Sequence, residues 1–257
     1  MSPKYGSLLS ILESQPGTEE WIYSNFIMME AFCYVGGYAK GTVELVLDPP
    51  YDFSPYCPWF WKSELSAETI QALDSNIIRF CQKCIDTNNY MLLFVDESKF
   101  SCIKRDVPLF HDIFIYGYDN DEEIFFTADF TFGNGKYQYK NISFSDMQNA
   151  YLSAVQSGKN LNNEGFAVLW HLRDDAHYSF DLSHVKDTLT EYLNGYSYIN
   201  RFARMYHQAP LNQAEMNVYP FLRQHLQTHG TRKCLHNLYD HKKLMLKRIV
   251  FMKKTVN

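Results

Sequence analysis

Two stretches that favour β-strands, separated by a short polar segment, most constrain the fold of this chain. Residues 111–118 are rich in aromatic and β-branched side chains, and residues 124–129 have a similar composition. The four residues between Tyr118 and Glu123 are polar and typical of a tight turn. The pattern predicts an antiparallel hairpin, in which His111 and Asp129 lie at the same end.

An imidazole beside a carboxylate is the usual base and orienting group of nucleophilic catalysis. His111 and Asp129 are therefore candidate catalytic residues. On spacing alone an alternative is equally open, namely a surface histidine at a strand end and an aspartate that only ends the next strand. Asp96 and Asp112 are further candidate carboxylates, and Asp112 ranks below Asp129 because it points to the opposite sheet face from His111.

Size, charge and hydropathy narrow the class of protein. The 257 residues, 46% of them hydrophobic, suffice for one large domain or for a core with an appended subdomain. The formal net charge of -5 argues against non-specific nucleic-acid binding. No apolar stretch approaches ~20 residues and no signal-peptide pattern opens the chain, so we expect no membrane partner.

The six cysteines are scattered along the chain, which favours reduced thiols in a cytoplasmic protein over a disulfide framework. Cys81 and Cys84 form a single CxxC within a helical pattern. We interpret them as buried thiols on an apolar helix face, with zinc or redox chemistry as the less favoured alternative. We expect no metal site and no resident cofactor.

The first strong periodic pattern covers residues 19–35 and predicts a helix ended by Gly36-Gly37. Its apolar positions recur at helical spacing: Ile27, Met28, Ala31, Phe32 and Val35. Ser24 and Asn25 are the predicted N-cap residues. Between Pro49 and Trp61, closely spaced prolines predict an irregular aromatic loop. Trp59 and Trp61 in that loop either line a substrate groove or pack in the core.

The rest of the chain predicts an α+β fold with an antiparallel sheet. Strands are expected at 42–48, 90–96, 136–144 and 164–171, with helices beginning at Ser66 and Ser145. From about residue 181 onward the pattern is helical, with breaks near Gly195, Pro210 and Gly230. We therefore expect a core domain at 1–175 and a helical subdomain at 176–257 packed on it.

The last predicted helix, about 231–254, has eight Lys or Arg residues against one acidic residue. We interpret it as a solvated amphipathic helix whose apolar side packs on the core, with Leu238, Leu244, Leu246, Ile249 and Phe251 on that side. The alternative is a docking face for an acidic partner.

These features together resemble a known family. His111-Asp-Ile-Phe-Ile-Tyr-Gly-Tyr-Asp119, followed by Phe125-Phe-Thr-Ala-Asp129, is similar to the His/Asp hairpin of the bacteriocin-processing cysteine peptidases. It is closer still to the butirosin-biosynthesis acyltransferases (BtrH-type) of antibiotic assembly lines. The resemblance covers most of the chain and implies a papain-like cysteine peptidase fold, with the nucleophile at a helix N-terminus, where the helix dipole and free N–H groups favour an anion.

The chain departs from this family at the nucleophile. Counting back about twelve residues from Gly36 places the family's catalytic Cys at Ser24, and Cys33 lies too far along the predicted helix to replace it. Three accounts are open: a Cys→Ser variant, a natural serine nucleophile, or a non-catalytic homologue. The family's oxyanion-hole Gln is also missing just before residue 24, and Gln15 is the nearest amide.

The resemblance implies an amide-forming acyltransferase. An acyl group would pass from a phosphopantetheine thioester on an acyl or peptidyl carrier protein to residue 24, and then to a small amine, with His111 as base and Asp129 fixing its tautomer. Substrate would be bound by Gln15, Tyr23, Asn25, Trp59 and Trp61. Docking of the acidic carrier would use Lys242, Lys243, Lys247 and Arg248. The alternatives are a peptidase or thioesterase, and a binding protein without chemistry.

Overall fold

The computed structural model describes residues 3–33, 41–48, 53–132, 136–158, 166–194, 212–214, 217–228 and 230–255. Within these ranges the chain forms helices and antiparallel sheets, so the fold class is α+β, as the sequence predicts. The predicted helix end at Gly36-Gly37 and the predicted breaks near Gly195 and Pro210 lie outside the described residues.

The described helices are α1 (Pro3–Glu13), α2 (Glu19–Ser24), α3 (Ala67–Leu73), α4 (Ile77–Asp86), α5 (Phe144–Gln156), α6 (Leu182–Asn194), α7 (Val218–Gln224) and α8 (Thr231–Thr255). The described strands are β1 (Met28–Cys33), β2 (Val43–Asp48), β3 (Phe60–Leu65), β4 (Asn89–Asp96), β5 (Phe110–Asp119), β6 (Ile124–Asp129), β7 (Gln138–Ser143), β8 (Ala167–Leu172) and β9 (Asn212–Ala214). None of these helices has the length and apolar composition needed to cross a membrane.

The chain divides into two compact units. The terminal unit consists of Met1–Tyr5, Ile11–Tyr56 and His177–Asn257, and the central unit consists of Gly6–Ser10 and Cys57–Ala176. The predicted domain boundary after residue 175 falls one residue from a boundary between these units. Residues 11–56, which the prediction places in the first domain, belong to the same unit as the C-terminal helices.

The central unit is built on a six-stranded sheet with the order β3-β8-β4-β5-β6-β7, in which every neighbouring pair is antiparallel. The predicted hairpin is confirmed as β5 and β6. β4 and the middle of β5 are apolar at consecutive positions, and one face of the sheet packs with residues of α4 and α5 in a single hydrophobic core. The predicted helix start at Ser66 is confirmed, since its hydroxyl accepts a hydrogen bond from the Thr69 N–H.

The segment that we predicted as an aromatic loop contains a strand. Phe60 and Trp61 begin β3, an edge strand that pairs with β8, so the prediction of a loop is wrong for these two residues. The dense prolines end at Pro58, two residues before the strand begins, and their restriction on the backbone does not extend further. Trp59 lies in the turn before the strand.

In the terminal unit the predicted helix over residues 19–35 is wrong. Within its described part, residues 19–33, only Glu19–Ser24 is helical; Phe26 has a positive φ of 57°, and the chain then continues as β1. β1 is the central strand of the sheet β2-β1-β9, and its first four residues are all buried. A strand buried on both faces is apolar at consecutive positions, and such a run resembles one face of a helix in sequence.

Helix α8 is confirmed, but its buried face is polar rather than apolar. The buried residues are Thr231, Cys234, Asn237, His241 and Arg248, whereas Leu246 and Ile249 are exposed. The predicted apolar packing side is therefore wrong for Leu246 and Ile249. Leu238, Leu244 and Phe251 are half-buried, and the Phe251 ring packs against Tyr23. The buried side chains bind backbone oxygen atoms instead: Cys234 donates to Val43, Asn237 to Leu45 and His241 to Ile27. Because β2 is an edge strand, its outward carbonyls need such partners.

Arg248 extends this pattern of hydrogen bonds. Its guanidinium is 2% exposed and donates from Nε to the Tyr23 carbonyl at 2.7 Å and from Nη2 to the Asn25 carbonyl. These carbonyls lie at the C-terminal end of α2. A cation there interacts favourably with the negative end of the helix dipole, and its N–H groups bind carbonyls that have no partner within the helix. Sequence periodicity does not reveal an inward arginine of this kind.

His241 predicts how the stability of the protein depends on pH. Burial lowers the pKa of His241 from 6.5 to about 4, and its Nδ1 has no partner among the described residues. The unfolded chain therefore takes up this proton first, so stability is full above pH 6.5 and falls as the pH drops toward 4. We expect this group to cost up to about 3 kcal/mol of the unfolding free energy over that interval.

Urea unfolding at pH 7.5 and pH 5 measures this effect. The His241→Gln variant should lose less stability between the two pH values than the parent protein does. His236→Gln changes an exposed histidine on the same helix and should leave the pH dependence unchanged. An equal loss in the parent and in His241→Gln would contradict the prediction.

Candidate functional site

Three adjacent strands of the central unit bring three ionisable side chains to one end of the sheet. Glu97 directly follows β4, His111 is the second residue of β5, and Asp129 is the last residue of β6. The register pairs Val95 with His111 and Ala128 with Phe114. Since side chains alternate between the two faces, Glu97, His111 and Asp129 all point to the same face.

The donor atoms of these three residues, one from each, lie within 4.8 Å of one another. The two predicted catalytic residues are close together, with 3.4 Å between His111 Nδ1 and Asp129 Oδ2. His111 Nδ1 is nearer still, at 3.0 Å, to the carbonyl oxygen of Asp112. A protonated Nδ1 therefore donates to that carbonyl, and the Asp129 carboxylate forms an ion pair with the ring rather than a hydrogen bond.

Burial makes this cluster electrostatically unusual. Glu97 and Asp129 are fully buried, whereas 33% of the His111 side chain is accessible. Both Glu97 carboxylate oxygens and Asp129 Oδ2 lack a hydrogen-bond partner among the described residues. Only Asp129 Oδ1 is satisfied, by the Thr131 N–H at 2.9 Å. Buried carboxylate oxygens without a partner are rare in folded proteins and call for a functional or ligand-based explanation.

The cluster also shifts the pKa values of its members. Burial lowers the pKa of His111, but contact with Asp129 and the nearby charges of Glu97 and Asp112 more than offset this and raise it to about 9. Burial and the repulsion from Asp129 raise the pKa of Glu97 to about 7, although the imidazolium of His111 and the Thr131 hydroxyl act in the opposite direction. His111 is therefore cationic at neutral pH.

Asp96, the alternative carboxylate, has a structural role. It is fully buried and its oxygens accept hydrogen bonds from the Ser98 N–H and hydroxyl, the Leu109 N–H and the Ser153 hydroxyl. Burial raises the pKa of Asp96, but these hydrogen bonds outweigh that effect and lower it. Asp96 thereby fixes the chain that connects β4 to β5, on which the position of Glu97 depends.

The residue that sequence reasoning missed is Glu97. Leu93 and Val95 are two positions apart in β4, and continuing that alternation by one step places Glu97 on the same face. Because β4 reads as a continuous apolar run, an acidic residue just after it looks like the start of a loop. The alternation of side chains along β4, extended to residue 97, was the feature of the sequence that could have identified it.

The predicted nucleophile does not have the predicted surroundings. Ser24 is the last residue of α2 rather than a helix N-cap, and this correction removes the helix dipole and free N–H groups expected around it. Its side chain is fully buried, and its Oγ accepts a hydrogen bond of 3.0 Å from the Asp181 N–H. Ser24 belongs to the terminal unit, and His111 and Asp129 to the central unit.

Three predicted substrate-binding residues lie in the terminal unit. Gln15 and Tyr23 line a surface pocket of about 620 Å³ together with Lys247 and acidic residues that include Glu19 and Glu20. Asn25 is outside this pocket lining, and its side-chain amide donates to the Trp21 carbonyl. The structure thus brings Gln15 and Tyr23 together on one surface.

The two predicted tryptophans lie in the central unit and differ in exposure. Trp59 is 4% exposed, which corresponds to core packing rather than to the wall of a groove. Trp61 is 61% exposed on β3, where its ring stacks on His171 with centroids 5.7 Å apart and the Arg173 guanidinium lies over it. Trp61 is therefore available to a ligand, whereas Trp59 is not.

The predicted docking residues of α8 also differ in how exposed their side chains are. Lys243 and Lys247 are exposed, although Lys243 lies over the Tyr239 ring. Lys242 is partly buried and donates to the Tyr192 hydroxyl. Arg248 is buried and bound to backbone carbonyls, so its assignment to a docking face is wrong.

The cysteines of the CxxC pair lie in the core of the central unit. Cys81 is fully buried and Cys84 is 8% exposed. Burial raises the pKa of Cys84 to about 11 and that of Cys81 well above its ordinary value, so both stay protonated thiols at neutral pH. Cys102, in the same unit, is the exposed cysteine among the described residues.

The fold and the site define an α+β protein whose six-stranded antiparallel sheet holds a buried carboxylate–histidine–carboxylate cluster at one end. Such a cluster suits general acid–base chemistry at the accessible imidazole or the binding of a cation. Comparison with models of protein families gives no match, and comparison with curated proteins gives none either.

Replacing Glu97 by Gln tests whether its charge opposes folding. Because the pKa of Glu97 is raised from 4.5 to about 7 in the folded protein, the unfolded chain loses this proton first, so the stability that the group costs grows between pH 4.5 and pH 7 and is fully present at pH 8. We expect Glu97→Gln to raise the unfolding free energy at pH 8, in chelator-treated protein, by about 1–3 kcal/mol. The gain should shrink toward pH 4.5.

Urea unfolding at pH 8 and pH 5 checks this expectation. Glu122→Gln removes the same charge from an exposed turn between β5 and β6 and should change the unfolding free energy little at either pH. A Glu97→Gln variant that is less stable than the parent at pH 8 would contradict the prediction.

Proposed function

We propose that the protein is an amide-forming acyltransferase that moves an acyl group from a carrier-bound thioester to an amine, with His111 as the general base. The observation that supports this most directly is the 3.4 Å contact between the accessible His111 ring and the buried Asp129 carboxylate. The resemblance of this hairpin to the butirosin-biosynthesis acyltransferases supports the substrate class. We propose a likeness to the papain-like enzymes for this hairpin only, and not for the surroundings of Ser24.

In the proposed reaction, the neutral His111 ring keeps its proton on Nδ1, facing the Asp112 carbonyl and Asp129, which leaves Nε2 free as a base. The amine attacks the thioester carbonyl and gives up its proton to Nε2. The C–N bond forms, the C–S bond breaks, and the proton passes to the leaving thiolate of phosphopantetheine. Asp129 fixes the ring orientation and stabilises the imidazolium that forms.

Transfer is proposed to be direct, without an acyl-enzyme at residue 24. The Ser24 hydroxyl is buried and bound by a backbone N–H, and no helix N-terminus surrounds it. A serine hydroxyl in such surroundings is a poor nucleophile, whereas a substrate amine needs only a base. A direct route is compatible with a serine at the position where the family that the hairpin resembles has its cysteine.

Variants at His111 and Asp129 test the proposed function. With an acyl-carrier thioester and an amine, His111→Gln should lower the rate of amide formation by about 10²–10⁴-fold, because the base is removed. Asp129→Asn should lower it less, because the ring loses its orienting carboxylate. Below pH 9 the rate should rise with pH, since only the neutral imidazole accepts a proton.

Ser24→Ala separates the direct route from an acyl-enzyme route. It removes the partner of the Asp181 N–H and should cost about 1 kcal/mol of stability, but at temperatures where it is folded it should retain transfer. Complete loss of transfer in folded Ser24→Ala would contradict the direct route. Equal activity of His111→Gln and the parent would contradict the proposed function, and release of free acid instead of amide would indicate a hydrolase.

The proposed docking face for an acidic carrier is the exposed side of α8. Lys243 and Lys247 are exposed there. Leu246, which lies between them in the sequence, is 65% exposed, and Val250, one turn further on, is 54% exposed. Apolar side chains flanked by lysines suit a carrier helix that combines apolar and acidic residues. Lys242 and Arg248 are left out of this face because they are half-buried and buried and bind other parts of the protein. Lys247 is kept because its ion pair with Glu13, at 3.9 Å, joins two exposed side chains.

Reversing two of these charges tests the docking proposal. The double variant Lys243→Glu/Lys247→Glu should slow transfer from a carrier-bound thioester several-fold, mainly through association. Transfer from the free pantetheine thioester should be unchanged, because the central unit is not altered. Lys186→Glu, an exposed reversal on α6, is the matched control. Equal slowing with both donors would contradict docking at this face.

A further inference from the structure

We propose that Glu97, His111 and Asp129 form a binding site for one divalent transition-metal ion, with Zn²⁺ as the representative ion. The proposal differs from our expectation of no metal site, which considered only the cysteine pair. It stands on the geometry of the three side chains and on the unpaired oxygens of the two carboxylates. It does not rest on the proposed acyl transfer.

The spacing of the donor atoms is close to what such an ion requires. Ligands about 2.1 Å from a tetrahedral Zn²⁺ are about 3.4 Å apart. His111 Nδ1 and Asp129 Oδ2 are 3.4 Å apart, and the three donor atoms all lie within 4.8 Å of one another. The widest of the three separations exceeds the ideal spacing by no more than about 1.4 Å (4.8 against 3.4 Å), a gap that side-chain rotations can close.

The types of donor also fit. One imidazole nitrogen with two carboxylate oxygens is a ligand set used by zinc and by other divalent transition metals. Binding of the ion displaces the proton of His111, because a ligating imidazole must be neutral. The two carboxylates then carry two negative charges, which a divalent cation balances. No lysine or arginine in the described part of the chain pairs with Glu97 or Asp129 to play this role.

The unpaired oxygens are the second, independent observation. Glu97 is fully buried, and neither of its carboxylate oxygens has a hydrogen-bond partner among the described residues. The facing Asp129 Oδ2 also lacks a hydrogen-bond partner among these residues, although it forms an ion pair with His111. The Thr131 hydroxyl, which acts on Glu97, is likewise without a hydrogen-bond partner there. A buried carboxylate without a partner is costly, and metal ligation is one of the few ways to compensate for it.

Metal binding and base catalysis would exclude each other. An ion bound by His111 and Asp129 occupies the ring and the carboxylate that the proposed transfer needs. The accessible third of the His111 side chain provides a route for entry and leaves coordination positions for water. If the proposed function is correct, Zn²⁺ inhibits transfer at this site and a chelator restores it.

Direct binding measurements test the site without relying on activity. The full-length protein, treated with chelator and carrying Cys102→Ser to remove the exposed thiol, is titrated with Zn²⁺ by calorimetry and with Co²⁺ by visible absorption. We expect one ion per chain and a Co²⁺ spectrum of low coordination number. Glu97→Gln, His111→Gln and Asp129→Asn should each weaken binding by at least about 100-fold.

Glu122→Gln is the matched control and should bind Zn²⁺ as the parent does. Unfolding curves of the metal-free variants show that any lost binding does not reflect misfolding, and Glu97→Gln is expected to be at least as stable as the parent. No binding by the parent, or equal binding by the parent and Glu97→Gln, overturns the metal site.

The outcomes for the two proposals are distinguishable. Metal binding without amide formation by the metal-free protein would retain the site and contradict the acyltransferase. Amide formation with no metal binding would retain the acyltransferase and overturn the site. If both are found, Zn²⁺ should still inhibit every active variant that binds the metal. Inhibition should disappear only in variants that have lost metal binding.

Discussion

The alternation of side chains along adjacent antiparallel strands is the constraint on which the candidate site depends. β4, β5 and β6 are neighbours inside a six-stranded sheet, so their ends cannot shift without breaking pairs on both sides. A slip of one residue in β5 would turn His111 to the other face and leave Glu97 and Asp129 as two buried acids facing each other. The packed interior behind β4 and β5 is therefore what holds three ionisable groups where water cannot fully solvate them.

Much of the central unit follows from sequence, because its hairpin and helix starts depend on local patterns. The β5–β6 hairpin and the cap at Ser66 are of this kind. The terminal unit is harder to predict from sequence, since β1 is buried on both faces and its apolar run suits either a helix or a strand. Two of the three members of the cluster, His111 and Asp129, were predictable from a local hairpin. Glu97 was not, because its burial depends on the fold of the whole segment after β4.

The two candidate activities make different uses of one arrangement. As a base, His111 needs a neutral ring oriented by Asp129, and Glu97 then acts only through its charge. In the metal site, Glu97 instead acts directly, as a ligand of the same ion as His111. The position of Ser24 bears on this choice as well, since a buried hydroxyl at the end of a six-residue helix does not have the surroundings of an activated nucleophile. Both proposals therefore use residues of the central unit alone.

The polar face of α8 has a consequence for the sheet of the terminal unit. The outward carbonyls of Val43, Leu45 and Leu47 on β2 accept side-chain hydrogen bonds from Cys234, Asn237 and Tyr5. Two of these three donors come from the last helix of the chain. Proteolytic removal of that helix would leave an apolar strand with free acceptors, the kind of edge that recruits a strand from another molecule. Helix α8 thus occupies carbonyls of β2 that a strand from another molecule would otherwise pair with.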